Sequence, residues 1–535
     1  MRRFLAGLGA AAAVVLLLAP APTASAHAGL ESSSPGASSV LDEPPDQILL
    51  DFDEEVEPTT AAIQLFDEGG ELVDLGAVLA DPGDPTIIST SVGDMGDGVF
   101  AVVWRVSSID GHVVDGAFSF QVGTSGSAAD GAALVDRVRG GLQSPPEVQW
   151  AYRVARGLAY GGLAVLVGGG LLTLLAGAPI DGRTRVVWRV AWAAAAVGAL
   201  ASVALYRTTL VGGGLGDALG ASAWSDVGDT TSGRWLLLRL GLVLAGGALV
   251  ATTSLAAAGW WRGGALVLTA GIVLSYPLAG HAAATSLVPW WALVDGLHTL
   301  AAFAWIGGLV ALLVERRRWL GDDRVVADRF SLVAVISVPV IVLTGAAQTL
   351  ELAGGLDDLT ETDWGRVLLV KVVLVLVLVV LGAASRALLR RYGPTALRRT
   401  VAAEAAVGLV VIGLVSGLVS LPPEPAPASS VYQVSLTEAG LIADVTVTPG
   451  QVGANEVHVV LVPPGGNLQP VVGMTARMDL DARGITNLAV PMEASGTNHF
   501  TGAMTLPFSG DWQLDLVVEV AVGSTVLLRT TVPVP

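Results

Sequence analysis

Eight apolar segments in the middle of the chain constrain its fold most strongly. Each is close to the roughly 20 residues that a helix needs to cross a bilayer. They are residues 152–176, 187–207, 235–258, 264–284, 291–314, 330–351, 366–386 and 401–421. The 535-residue sequence is 52% hydrophobic and 14% charged, whereas a soluble protein carries about 25% charged residues. The sequence therefore predicts a polytopic, eight-span helical membrane domain over residues 151–421.

Arginine is concentrated in alternate loops between these segments. The loops after the first, third, fifth and seventh segments hold, within them or at their edges, Arg183, Arg185, Arg189, Arg262, Arg316, Arg317, Arg318, Arg324, Arg386, Arg390, Arg391, Arg398 and Arg399. The other loops carry mainly acidic residues. Because cytoplasmic loops are enriched in arginine and lysine, we expect a multi-pass cell-membrane protein whose two chain ends are extracytoplasmic.

Residues 1–26 are typical of a secretory signal peptide. Arg2 and Arg3 precede an apolar run from Phe4, and the small residues Ala24-Ser25-Ala26 form a cleavage site. Cleavage there makes His27 the first residue, whose amine and imidazole Nδ1 together chelate one metal ion. The alternative is cleavage a residue or two away, which would leave His27 as an ordinary surface histidine.

Residues 27–125 predict a small all-β domain, because alternating runs are separated by Gly, Pro and Asp turns. Residues 126–150 then form a linker to the membrane. Asp110 and His112 are two apart, so on a strand both face the same side. With His27 they would give a nitrogen-rich set of the kind that suits Cu(II). The alternative from spacing alone is that Asp110 and His112 form a turn pair.

The stretch from Gly280 to Gly308 places ionisable residues at membrane depth. Such residues are costly there and mark ligand sites or pathways. His281 lies at the outer end of the fourth segment, whereas Asp295 and His298 share one face of the fifth. We predict a metal site from these three residues, with Asp295 as a ligand or as the group that orients His298. The alternative is that both histidines are buried residues that tie helices together.

Lys371 is the only lysine in the chain. It lies near the start of the seventh segment, and we expect a structural ion pair with Asp295 or Glu351 rather than a transport role. Glu404, near the inner end of the eighth segment, is interpreted as structural. The run from Trp305 to Gly308 is expected to be a close helix contact, because small residues let backbones approach.

Beyond the membrane segments, residues 422–430 form a proline-rich linker. Residues 431–535 again alternate as strands do, which predicts a second extracytoplasmic β domain, a sandwich or barrel. His458 and His499 lie among four methionines of this domain. A Cu(I) site is one reading of them, and ordinary surface and core residues are the favoured one.

Particular motifs resemble copper-handling families. The stretches HAGLESSSPGASSVLDEPPDQILLDFDEEVEP and VFAVVWRVSSIDGHVVDGAFSFQV resemble the periplasmic CopC family. That resemblance implies Cu(II) ligation by His27, Asp110 and His112. Met95 is the only methionine of this domain, so we expect a Cu(II) site alone.

The membrane region resembles the CopD family of copper-resistance proteins, which implies movement of copper across the inner membrane. The motifs that carry this resemblance are GHA, DGLHTLAAFAWIGG, FSLVAVISVPVIVLTG and TDWGRVLLVK, which begin at Gly280, Asp295, Phe330 and Thr362. In the C-terminal domain, VTPGQVGANEVHVVLVPPGG and LPFSGDWQLDLVVEV resemble YtkA-like or FixH-like domains, which implies no particular function.

Composition excludes several other classes. The net charge of −18 makes nucleic acid an unsuitable partner. The absence of cysteine excludes disulfides and thiolate sites, and the chain has no P-loop motif for ATP hydrolysis. We expect a non-enzymatic protein of the lipid bilayer that captures Cu(II) outside the cell and passes copper inward, with no indication of its oligomeric state. The alternatives are a tethered copper buffer or sensor, or a histidine-brace oxidase.

Overall fold

A computed structural model describes residues 30–534 with gaps, the longest of which are 139–143, 315–324, 422–431 and 463–470. The predicted signal peptide, His27, Asp110 and His112 lie outside the described residues, and only the backbone of His281 is described. The chain divides by contacts into two compact units. The membrane unit holds Ile109–His112 and Ser144–Pro425, and the β unit holds Ala28–Ser108, Val113–Gln143 and Ala426–Pro535.

Eight helices in the described part of the membrane unit are long and apolar enough to cross a membrane, which confirms the predicted fold. In chain order, the first to eighth spans are Pro146–Ala176, Gly182–Val211, Thr231–Ala251, Gly259–Leu274, Val288–Val314, Val325–Leu352, Asp363–Tyr392 and Arg398–Leu418. The third and seventh spans begin at threonine caps. Thr230 Oγ1 accepts from the Gly233 backbone N–H at 3.0 Å, and Thr362 Oγ1 accepts from that of Gly365 at 2.9 Å.

The first and fifth spans cross at glycines, and there the backbones touch. A Cβ atom on Gly307 would lie 1.7 Å from the backbone oxygen of Ala164, and one on Gly168 would lie 2.4 Å from that of Phe303. No side chain fits between the helices at this level. The expected close contact near Gly307 is therefore present, and it fixes the fifth span against the first.

The N-terminal β domain is a two-sheet sandwich. Its strands are β1 Leu30–Ser34, β2 Val40–Leu41, β3 Gln47–Phe52, β4 Ala62–Phe66, β5 Leu72–Val73, β6 Leu79–Ala80, β7 Ile87–Ser91, β8 Gly98–Ser107 and β9 Val113–Val122. The sheet orders are β1-β3-β7-β6 and β2-β9-β8-β4-β5. Alternate residues of β3, among them Ile48, Leu50 and Phe52, fill the space between the sheets.

A helix over Ala128–Val138 forms inside the segment predicted as a linker. Its apolar side chains Leu134 and Val138 are buried against Val99 and Ala101 of β8. The helix therefore covers the outer face of that sheet, which explains why both faces of β8 are apolar.

The C-terminal β domain is also a sandwich of open sheets, so no closed barrel is formed by the described strands. They are β10 Tyr432–Glu438, β11 Leu441–Thr448, β12 Gly453–Val462, β13 Gly473–Leu480, β14 Ile485–Val490, β15 Glu493–Gly496, β16 His499–Leu506, β17 Gly510–Ala521 and β18 Ser524–Val534. The sheet orders are β10-β11-β12-β16-β15 and β14-β13-β17-β18. Trp512, with 0% exposure, lies in the core between them.

Candidate metal site

The fifth and sixth spans bring two pairs of polar side chains together inside the bundle. Asp295 and His298 lie three residues apart on the fifth span, whereas Thr344 and Gln348 lie four apart on the sixth. Gln348 Nε2 donates to Asp295 Oδ1 at 2.6 Å, and His298 Nδ1 lies 2.9 Å from Thr344 Oγ1. The predicted shared face of Asp295 and His298 is therefore a contact face between helices.

The Thr344 hydroxyl determines which nitrogen of His298 carries the proton. Its single proton is donated to the Val340 backbone oxygen at 2.5 Å, so towards the imidazole the hydroxyl can only accept. This geometry assigns the proton of a neutral His298 to Nδ1 and the lone pair to Nε2. A metal ligand needs this arrangement, in which one nitrogen is fixed by a hydrogen bond and the other is available.

A glycine on the sixth span makes room for the His298 ring. A Cβ atom on Gly345 would lie 3.3 Å from His298 Cε1, tighter than most Cβ contacts. Gly345, Thr344 and Gln348 were not predicted as parts of the site. The available signal was the i, i+4 spacing of two hydrogen-bonding side chains within an apolar span.

The segment that leads to His281 is clamped by Arg239 of the third span. Arg239 Nε donates to Ser275 Oγ at 2.8 Å, and Nη2 donates to the Ser275 backbone oxygen at 2.6 Å. The guanidinium carbon also lies 3.7 Å from the ring centroid of Tyr276. The buried guanidinium of Arg239 thereby holds the end of the fourth span in place. Beyond this end the chain turns through Pro277–Ala279 and His281–Ala283.

A second contact holds the same segment one step further along the chain. Ser232 Oγ donates to the Ala279 backbone oxygen at 2.8 Å. The loop Ile109–His112 belongs to this membrane unit, and a Cβ atom on Gly111 would lie 2.6 Å from Ser232 Oγ and 3.6 Å from the Ala279 oxygen.

Lys371 forms no ion pair within 4.0 Å with Asp295 or Glu351 among the described residues. The expected direct ion pair is therefore absent. Lys371 interacts electrostatically with Asp295 at longer range. Asp295 has the amide of Gln348 as its direct partner instead.

Among the described residues, no three His, Asp or Glu side chains are arranged to hold a metal ion. The described membrane cluster supplies one imidazole and one carboxylate, and the remaining predicted ligands lie outside the described residues or, for His281, have no described side chain.

The two histidines of the C-terminal domain lie on the outer face of a sheet, with ring centroids 6.0 Å apart. His458 Nε2 lies 3.2 Å from Glu456 Oε1, and this hydrogen bond holds the pKa of Glu456 below its usual range. Met478 and Met504 instead point into the core. Because alternate residues of a strand face opposite sides, these methionines are separated from the histidines.

Comparison with known proteins covers most of the chain. Residues 30–123 match the CopC domain, residues 147–290 match the N-terminal domain of copper resistance protein D-like proteins, and residues 324–418 match copper resistance protein D. None of these three matches extends into the C-terminal domain. Residues 291–314 of the fifth span, which include Asp295 and His298, lie between the two membrane matches.

Two curated relatives are membrane or copper proteins. The chain is 28% identical over 454 residues to the copper transport protein CutJ of Bacillus subtilis (strain 168), covering 81% of each chain. It is 32% identical over 139 residues to the inner membrane protein YebZ of Escherichia coli (strain K12), covering 24% of this chain and 47% of that protein.

Solved structures that match the chain include CopC from Methylosinus trichosporium OB3b, at 28% identity and a TM-score of 0.18, covering 19% of this chain and 98% of that one. PcoC, a methionine-rich copper resistance protein from Escherichia coli, matches at 26% identity and a TM-score of 0.17, covering 18% and 98%. The family matches, together with the eight spans, decide the assignment. The chain joins, in one polypeptide, a CopC domain and a copper resistance protein D membrane domain, and it is thereby a multi-pass protein of the copper resistance and transport class.

Proposed function

We propose that this protein captures Cu(II) outside the cell and passes copper inward through its membrane bundle. Capture takes place at His27, Asp110 and His112, and the bundle accepts copper at His281 and His298, with Asp295 beside them. In this proposal both β domains are extracytoplasmic, which the distribution of arginine among the loops supports. The relative CutJ is named a copper transport protein, and this name supports transport of copper rather than its storage.

The observation that carries the proposal is the hydrogen-bonding state of His298. His298 Nδ1 lies 2.9 Å from Thr344 Oγ1, and Gln348 Nε2 donates to Asp295 Oδ1 at 2.6 Å, on one face of the fifth span. With Nδ1 engaged in this hydrogen bond, Nε2 is the nitrogen that a copper ion would use. A carboxylate three residues away on the same face, Asp295, adds negative charge that stabilises an incoming cation.

Handover is favoured because the capture domain and the membrane domain belong to one chain. Capture and acceptance within one chain raise the effective concentration of the ion at the second site. Copper is the cargo in this scheme, and it changes ligands rather than reacting.

The test is cellular copper content in a copper-limited host that carries the intact protein or the variant His298→Ala. The matched control is His458→Ala, which removes a histidine of the C-terminal domain. At equal membrane abundance, we expect the intact protein and His458→Ala to raise copper content and His298→Ala to abolish the increase. Equal accumulation in all three would refute transport through His298 and leave a tethered copper buffer.

The histidine-brace oxidase is tested separately on the full-length protein. Copper-loaded protein with a reductant should consume oxygen no faster than the same mixture with His27→Ala protein, because a transporter needs no open copper position for oxygen. Oxygen consumption or peroxide formation that depends on His27 would favour the oxidase instead.

A further inference from the structure

Glu404 of the eighth span is an acidic residue inside the bundle to which the copper route assigns no role. It is 2% exposed, and its Oε1 accepts a short hydrogen bond from Ser385 Oγ of the seventh span. A Cβ atom on Gly382, one turn earlier, would lie 3.7 Å from Glu404 Oε2. The neighbouring Val401 and Leu378 belong to an apolar cluster. The carboxyl group therefore lies in a small polar pocket within apolar surroundings.

Among the described residues of the helices packed around Glu404, no opposite charge compensates its carboxyl group. Burial and the Ser385 hydroxyl account for its environment, and no charged group among the described residues interacts with it electrostatically. Arg386 of the seventh span and Arg399 of its own span are exposed. Arg156 of the first span bonds Ser420, beyond the opposite end of the eighth span.

Glu404 and His298 lie at different depths of the bundle. A Cβ atom on Gly408 would lie 3.2 Å from Ile306, so these two residues mark a common level of the antiparallel eighth and fifth spans. His298 is eight residues from Ile306 on one side, and Glu404 is four residues from Gly408 on the other. At 1.5 Å per residue the two sites are separated by about 18 Å along the helix axes, with Glu404 nearer the arginine-rich end.

A carboxylate with one hydroxyl donor and no counter-charge is costly inside a membrane bundle. A proton or a passing cation would neutralise it. We propose that Glu404 is a proton-binding site that holds a proton in the empty bundle and releases it when a copper cation enters the arginine-rich half. In this step the O–H bond of the carboxyl group breaks, and the proton leaves to water at that end. The carboxylate then compensates the cation until a new proton replaces it, and copper keeps its oxidation state.

This inference rests on the proposed passage of copper through the bundle, and it predicts a pH dependence. Protons compete with the cation for Glu404, so copper uptake should slow as the pH falls. A purely structural Glu404 would tie the seventh and eighth spans through Ser385. Glu404→Gln separates the two roles, because an amide still accepts the Ser385 hydrogen bond but cannot bind and release a proton.

The experiment uses the full-length protein in liposomes, with chelator-buffered copper outside, and measures initial uptake between pH 5.5 and 8. Gly413→Ala is the matched control on the same span, because a Cβ atom there would meet nothing within 4 Å. We expect wild type and Gly413→Ala to show uptake that rises with pH. Glu404→Gln should be at least tenfold slower at pH 8 and independent of pH, while remaining folded by size-exclusion chromatography.

The outcomes separate this inference from the proposed function. A Glu404→Gln protein with the pH profile and rate of wild type would overturn the proton-binding site and leave copper passage intact. If Glu404→Gln does not fold, Glu404→Asp is tested instead. It retains a proton-binding group, so its copper uptake should still rise with pH. Uptake that is independent of pH in Glu404→Asp would also overturn the proton-binding site. Absence of uptake by wild type, or uptake unaffected by His298→Ala, would overturn the copper route itself.

Discussion

Substituting Gly307 by alanine should separate the first and fifth spans, because the new atom would meet backbone. The added Cβ would lie 1.7 Å from the Ala164 backbone oxygen, whereas a carbon and a carbonyl oxygen approach to about 3.3 Å. The helices must therefore move apart by roughly 1.6 Å. Overpacking of this kind costs about 3 kcal/mol, or about a hundredfold in the folding equilibrium.

The detergent-solubilised protein is heated to a series of temperatures, and the folded fraction that remains is measured by size-exclusion chromatography. A destabilisation of about 3 kcal/mol lowers the melting temperature by roughly 6–12 °C in a domain of a few hundred residues. Gly170→Ala is the control, because it lies on the first span with nothing within 4 Å of a Cβ atom. Both variants change helix propensity equally, so their difference isolates the steric effect.

A second test depends on whether the added Cβ atom meets backbone or a side chain. At Gly307 the obstacle is backbone, so no side-chain change at Ala164 should restore stability. At Gly308 the nearest atom to an added Cβ is Phe330 Cε2, at 2.7 Å, so Phe330→Leu should partly rescue Gly308→Ala. If Gly307→Ala and Gly170→Ala have the same melting temperature, the close contact of the first and fifth spans is refuted.

Three further outcomes follow from single contacts. Hydrogen bonding by Arg529 holds the pKa of Asp515 below its usual range, so this pair stabilises the C-terminal domain above about pH 4 and the stabilisation is lost as the pH falls. Asp515→Asn should cost about 2 kcal/mol at neutral pH and little in acid, measured by hydrogen exchange in β17. Thr362→Ala should cost about 1 kcal/mol by removing a helix cap, seen as faster exchange in the first turn of the seventh span. Arg239→Lys keeps the charge but not the two directed bonds to Ser275; it should lower copper accumulation at unchanged abundance, and an unchanged copper content would contradict the clamp.

The number of membrane spans could be predicted from the sequence because it depends on local composition. Each span needs about 20 apolar residues, and each of the eight predicted segments overlaps a helix. The fourth was predicted to end at residue 284, but its helix ends at Leu274 and the chain continues in short turns. The helix ends differ by several residues, as at the third span, which begins at Thr231 rather than at residue 235. Its start depends on the Thr230 cap, which is a tertiary detail of one side chain and one backbone N–H.

The site could be predicted only as far as one helix determines it. The spacing of Asp295 and His298 places both on one face whatever surrounds them. Their partners Thr344 and Gln348 are about fifty residues away, and nothing in the spacing shows which helix lies opposite. For the same reason the expected pairing of Lys371 failed, because electrostatic preference between two charges says nothing about the distance that packing imposes.

Hydropathy indicates the most peripheral helix but does not rank the others, because the fourth span has the lowest mean hydropathy, 1.3, and only 22% of it is buried. The seventh span has the highest mean hydropathy of the eight and the smallest buried share, 11%, whereas the fifth has the largest buried share, 50%. Lipid-facing positions must be apolar, but a helix surrounded by other helices can carry polar or small residues, since its neighbours supply the hydrogen bonds. This is why the fifth span carries Gly307, Asp295 and His298. Surrounded by other helices, it can hold polar side chains and can pack backbone against backbone. A polar residue on the peripheral seventh span must instead face inward to find a partner, as Ser385 does towards Glu404.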